Sequence, residues 1–94
     1  MAEKLTAAEV ERRLHSLSGW TVNAQGELTR TFKQPNFMTG LLFVNRIGGA
    51  AEAAEHHPDV LLTYPSVKIT LITHDAGGLT AKDFDLAAQI DKLA

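Results

Sequence analysis

Three of the four histidines of this chain fall among carboxylates in one short stretch: Glu52, then His56-His57-Pro58, then His74-Asp75, with Asp83 beyond. Imidazole is the side chain that ordinarily gains and loses its proton near neutrality. A group of them held close together is therefore equipment for general acid–base catalysis. Glu52 and His56 are four residues apart, which on a helix puts them on one face. The carboxylate could then hold one ring nitrogen of His56 and leave the other free to act.

These side chains need elements to bring them together. Thr6-Ala-Ala-Glu9 has the capping-box form, and Val10, Leu14 and Leu17 follow at helical spacing, which predicts a first helix from about Ala7 to His15 or Ser16. Trp20 and Val22, then Leu28, Arg30 and Phe32 after a turn at Asn23 to Gly26, alternate with polar neighbours as paired strands do. Gln34-Pro35-Asn36 breaks the second strand and offers an N-cap. Phe37, Leu41, Val44, Ile47, Ala51 and Ala54 then recur every three or four residues, and Pro58 disfavours helical geometry just before it, so this longest helix should end near His56 or His57. Val60 to Thr63 and Val67 to Thr73 read as antiparallel strands around a turn at Tyr64-Pro65-Ser66. Thr80-Ala-Lys-Asp83 opens a last helix bearing Phe84, Leu86, Ala87, Ile90 and Leu93. The order α-β-β-α-β-β-α predicts an α+β, two-layer domain: a four-stranded antiparallel sheet covered by helices on one face, with residues 1–94 folding as one unit.

Strand pairing alone returns the third histidine to the other two. With Tyr64 opposite Val67, paired residue numbers sum to a constant that places His74 opposite His57, and an asymmetric loop shifts the partner by one. Asp83, three residues after Thr80, reads first as a capping partner; it faces the same site only if the start of the last helix borders it. His15 reads as an ordinary helix residue.

Composition narrows the classes of function. The 45% hydrophobic and 21% charged content fits a soluble globule rather than a disordered or membrane chain. No run of ~18 apolar residues could span a bilayer, and nothing near Met1 reads as a signal peptide, so a cytoplasmic protein without a membrane partner is expected. A net charge of -2 supplies no basic footprint, which argues against direct nucleic-acid binding. With no cysteine, disulfides and thiolate metal sites are excluded. Glu52, His56, His57 and His74 are of types that zinc accepts, yet Glu-x-x-x-His followed at once by a second histidine matches neither common zinc helix motif. No metal and no other cofactor is expected.

The set Glu52-x-x-x-His56-His57-Pro58, Tyr64, His74 and Asp83, at these gaps, resembles the signature of the pterin-4a-carbinolamine dehydratases. The resemblance extends to Gly19-Trp20, to Phe32 and Phe37, and to the run Val67 to His74 with Gly78-Leu79 after it. Glu55, Ile72, Asp75 and Lys82 depart from residues common in that family, and none of these changes removes an acid–base group. The resemblance implies a lyase that dehydrates 4a-hydroxytetrahydropterin to quinonoid dihydropterin in the recycling of tetrahydrobiopterin for aromatic amino acid hydroxylation. It implies that His56 and His74 are the acid–base pair, that His57 binds and orients the pterin, that Glu52 orients His56, and that Asp83 supports the site. Backbone groups of Pro58, Thr73, Asp75 and Ala76 would meet the pterin edge and Trp20 would line the pocket. It also implies a homodimer or homotetramer, in keeping with the two open edges that a four-stranded sheet leaves. The competing readings are a non-catalytic dimerisation or transcriptional coactivator module and a pterin-binding protein of molybdopterin metabolism.

Overall fold

Alternation along two central strands makes the sheet two-faced. In a computed structural model of the chain, which describes residues 2–94, the elements are α1 (Ala7–Leu14), β1 (Thr21–Val22), β2 (Leu28–Lys33), α2 (Phe37–Ala54), β3 (Asp59–Thr63), β4 (Ser66–Leu71), a 3-10 turn (His74–Ala76) and α3 (Ala81–Leu93). The strands form one antiparallel sheet in the order β1-β2-β4-β3. Leu28 pairs with Leu71 and Phe32 with Val67 on the face that is buried, whereas Thr29 pairs with Thr70 and Thr31 with Lys68 on the polar face. This is the α+β arrangement that the sequence predicts.

The helices cover the apolar face. Asn36 caps α2 by accepting the Thr39 amide at 2.9 Å, and Gly40, Phe43, Ile47 and Ala51 form its buried stripe. Fully burying a side chain such as Phe43 or Ile47 contributes roughly 1.5–3 kcal/mol. A Cβ on Gly40 would come within 2.9 Å of Leu62 Cδ1, so a larger residue there would push that side chain of β3 aside. Phe84, Leu86, Ala87 and Ile90 turn the buried side of α3 into the same core. The first helix buries no residue fully; Val10 and Leu14 rest on the core edge, and the Leu5 amide donates to the Leu79 carbonyl at 2.8 Å. No helix among the described residues is long and apolar enough to cross a membrane.

Two local expectations are corrected, and both concern the histidines. The second helix stops at Ala54, before the expected end at His56 or His57. Glu55 enters the left-handed region at φ 52°, its amide reaches the Glu52 carbonyl and the His56 amide reaches the Ala51 carbonyl, a Schellman closure that ends the helix without glycine. The β3–β4 turn takes two residues rather than three, because Ser66 joins the ladder opposite Thr63 and their hydroxyls meet at 3.1 Å. The register is therefore shifted, and β4 ends at Leu71, so the pairing of His74 with His57 does not occur.

The segment that carries His74 is built differently. After Leu71 the chain forms an isolated bridge between Thr73 and Gly78, with main-chain bonds of 3.2 and 3.4 Å in the two directions. The bridge closes a short loop that carries His74, Asp75 and Ala76, and Gly77 completes it at φ 74°. A residue without Cβ suits that conformation.

Candidate active site

The centre of the site is a carboxylate at the start of α3. Thr80 and Asp83 form a capping box, in which the Asp83 carboxylate accepts the Thr80 amide through Oδ2 at 2.9 Å. Helix geometry thus fixes Asp83 at the first turn, and the packing of α3 on α2 leaves its side chain fully buried. A buried carboxylate must find donors. Thr73 supplies one, its hydroxyl lying 2.8 Å from Oδ2, and His56 supplies the other, its Nε2 lying 2.6 Å from Oδ1. The Thr73 and Thr80 hydroxyls are themselves 2.8 Å apart. Among the described residues no buried polar side-chain atom lacks a partner.

One carboxylate therefore joins three segments: the residues after α2, the residues after β4, and the N-terminus of α3. His74 directly follows Thr73, so the loop that presents it is tied to the same group that holds His56. His56 and His57 are sequence neighbours with opposite fates. Beyond the helix end the chain is no longer helical, and the His56 side chain points inward at 10% exposure while that of His57 stands outward at 61%.

The arrangement corrects the expected part of Glu52. Its Oε1 lies 3.5 Å from His57 Nε2, and the group that orients His56 is Asp83. The physical reason is the early helix end: the four-residue relation between Glu52 and His56 holds only while the helix continues, and Glu55 interrupts it. Trp20 is a second correction. It is buried at 4% exposure, packs edge-on against Phe32 at 6.0 Å, and donates its indole N–H to Asp91 at 2.9 Å, which places it in the core at the far end of α3.

Beside His57 and Pro58 lies an apolar groove of about 230 Å³, lined also by Val44, Ile47, Ala51 and Glu52. A larger cavity of about 580 Å³ lies against α1 and the Gly77-Gly78 end of the His74 loop, and none of the histidines lines it. The smaller groove is thus the one of the two that an imidazole, that of His57, lines. His74 and Asp75 are exposed and Ala76 and Pro58 half-buried, so each can meet a molecule from solvent. Among the described residues no group of three or more His, Asp or Glu converges in a way that could hold a metal ion.

Thr80 is the one member of the hydrogen-bonded group that the sequence reading treated only as a helix start. Its signal was present in the Thr-x-x-Asp spacing, but nothing in that spacing distinguishes a cap that faces water from one that faces a site.

Comparison with known proteins agrees along the whole chain. The profile of the family described as Pterin 4 alpha carbinolamine dehydratase matches residues 3–93. Relatives named for that family are 50% identical in Roseiflexus sp. (strain RS-1), over 99% of both chains, and 48% identical in Trichormus variabilis (strain ATCC 29413 / PCC 7937), again over 99% of both. A crystal structure from Brucella melitensis, described as a transcriptional coactivator/pterin dehydratase, superposes with a TM-score of 0.93 at 33% identity, covering 98% of this chain and 99% of that one. A pterin dehydratase-like protein described as a RuBisCO assembly factor in the alpha-carboxysome shares the fold, with a TM-score of 0.70 at 22% identity, over 81% of this chain and 89% of that one. On the match of profile, relatives and fold, this chain belongs to the pterin-4a-carbinolamine dehydratase family.

Proposed function

We propose that the protein dehydrates 4a-hydroxytetrahydropterin to quinonoid dihydropterin by histidine acid–base catalysis, in the recycling of tetrahydrobiopterin that serves aromatic amino acid hydroxylation. The observation that carries this reading is the single buried carboxylate, Asp83, which anchors His56 and, through Thr73, the loop of His74. In the elimination, a base removes the N5 proton, the N5–C4a double bond forms, and an acid protonates the departing 4a-hydroxyl so that it leaves as water. His56 and His74 take these two parts, since imidazole can serve as either near neutral pH. His57, next to the apolar groove and within 3.5 Å of Glu52, binds and orients the pterin. Backbone groups of Pro58, Thr73, Asp75 and Ala76 border the ring edge, and neither a metal nor an organic cofactor takes part.

Self-association belongs to the same proposal. The edge strand β3 carries Leu61 at 59% exposure, and α2 exposes Phe37, Met38 and Leu42, apolar surface that a homodimer or homotetramer would cover. The description of the Brucella melitensis relative favours a second reading, a coactivator module that uses this surface to bind another protein. A stopped-flow assay of 4a-hydroxytetrahydropterin breakdown, with and without the protein, separates the two. The dehydratase accelerates breakdown, and His56→Ala and His74→Ala each slow it by roughly a hundredfold while the fold survives. Wild-type rates in either variant would sink the role given to that histidine, and no acceleration by the wild type would leave the coactivator reading.

A further inference from the structure

The hydroxyls of Thr73 and Thr80 take part in neither the fold's sheet nor the proposed proton transfers. We infer that Thr73 and Thr80 are positioning residues, which load one oxygen of Asp83 and so set how firmly its other oxygen holds the Nε2 proton of His56. This deepens the function proposed above and depends on it only where catalysis is concerned.

The direction of each hydrogen bond follows from counting protons. The Thr80 hydroxyl accepts the Lys82 amide at 3.3 Å and lies 2.8 Å from the Thr73 hydroxyl, which lies 2.8 Å from Asp83 Oδ2. A carboxylate oxygen accepts, so the single hydroxyl proton of Thr73 goes to Asp83. Thr73 then has only lone pairs to offer Thr80, and the Thr80 proton points to Thr73. The chain therefore runs one way, from Lys82 N–H through Thr80 and Thr73 to Asp83 Oδ2. The Thr80 amide donates to the same oxygen at 2.9 Å.

Oδ2 is thus occupied by two donors, and Oδ1 is left to His56 at 2.6 Å. His56 Nε2 must carry the proton in that bond, which makes Nδ1 the nitrogen that gives or takes a proton from a substrate. Nδ1 has no hydrogen-bond partner among the described residues, and it is not among the fully buried atoms there. Each donor on Oδ2 draws charge from the carboxylate and weakens its pull on the Nε2 proton. All three polar partners of Asp83 come from different segments, so the setting is a product of the folded chain and of no single turn.

The test is a long-range ¹H–¹⁵N correlation spectrum of the imidazoles in the whole labelled protein, taken without substrate near pH 8. The wild type is expected to show His56 as the Nε2–H tautomer alone. Thr73→Val, which keeps the shape and removes the hydroxyl, is expected to move the Nε2 proton downfield as Oδ1 tightens its hold, and Thr73→Ser to return it. With substrate, Thr73→Val is expected to lower kcat about fivefold at nearly constant KM, because a histidine held too firmly returns its proton more slowly. An Nδ1–H tautomer in the wild type overturns the inference and needs no variant to fold. An unmoved or upfield-shifted proton in Thr73→Val, or a rise in KM with kcat unchanged, overturns it as well. Because the spectra need no turnover, they judge the wiring even if the wild type proves not to dehydrate the pterin.

Discussion

The chain contains the same four-residue device twice and uses it differently. At α1, the Thr6 amide donates to the Glu9 carboxylate at 2.9 Å and the Glu9 amide to the Thr6 hydroxyl at 3.2 Å, both bonds open to solvent. At α3, Thr80 and Asp83 form the corresponding box, but it is buried between α2 and the end of β4, and its carboxylate also holds His56 and Thr73. The difference lies in the second oxygen. Glutamate at α1 makes its hydrogen bonds to the helix end alone; aspartate at α3 divides them, one oxygen shared by the helix start and Thr73 and one for a histidine. A capping motif becomes part of a site when packing removes water from it, since the free lone pairs must then be met by protein.

The sharpest way to break the comparison is to remove the two carboxylates. Asp83→Ala strips the buried His56 of its partner and uncaps α3, so urea unfolding should show a loss of about 3–5 kcal/mol, with pterin dehydration slowed by roughly a hundredfold. Glu9→Ala should leave the rate unchanged and barely move the midpoint. The hydroxyl partners come next: Thr80→Ala should cost about 2–3 kcal/mol, and Thr6→Ala about 1 kcal/mol. Equal losses in the two threonine variants would show that burial adds nothing to the α3 box.

What could be read in advance divides along the same line. Capping boxes, strand alternation and the apolar stripes of α2 and α3 are local patterns, and they gave the element order and the layers from residues such as Phe43, Ile47, Val67 and Ile69. The tie between His56 and Asp83 was legible only as a condition, that the start of the last helix border the histidines, and the route expected for His74, strand pairing opposite His57, does not occur. The partner of His56 could not be read outright, because it depends on where a helix stops. Pro58 marks a boundary only loosely, and a glutamate in the left-handed region carries no sequence signal comparable to glycine. The two-residue turn at Tyr64-Pro65 was missed for a related reason: Ser66 favours turns, yet here pairs with Thr63.

That helix end supplies a smaller expected effect. Glu55→Gly relieves the left-handed backbone, and thermal unfolding should show a gain of about 0.5–1 kcal/mol with the dehydration rate unaltered. A loss instead would mean that the Glu55 side chain, exposed as it is, stabilises the closure. The smallest effect is electrostatic. Hydrogen bonds from the Thr6 amide and hydroxyl hold the Glu9 carboxyl below the ordinary carboxylate range. A carboxyl depressed in the folded state stabilises it above the unfolded value and loses that contribution as pH falls through the folded one. The difference in melting temperature between wild type and Glu9→Gln should therefore be widest at neutral pH and close as the solution is acidified.

The Thr73–Gly78 bridge fastens the His74 loop at its base by two main-chain bonds, and none of the residues between them belongs to a strand of the sheet. Such a loop works as an interchangeable cassette. With His74 reserved for the proposed proton transfer, Asp75 and Ala76 beside it are the letters that can change while the bridge and the strands stay as they are.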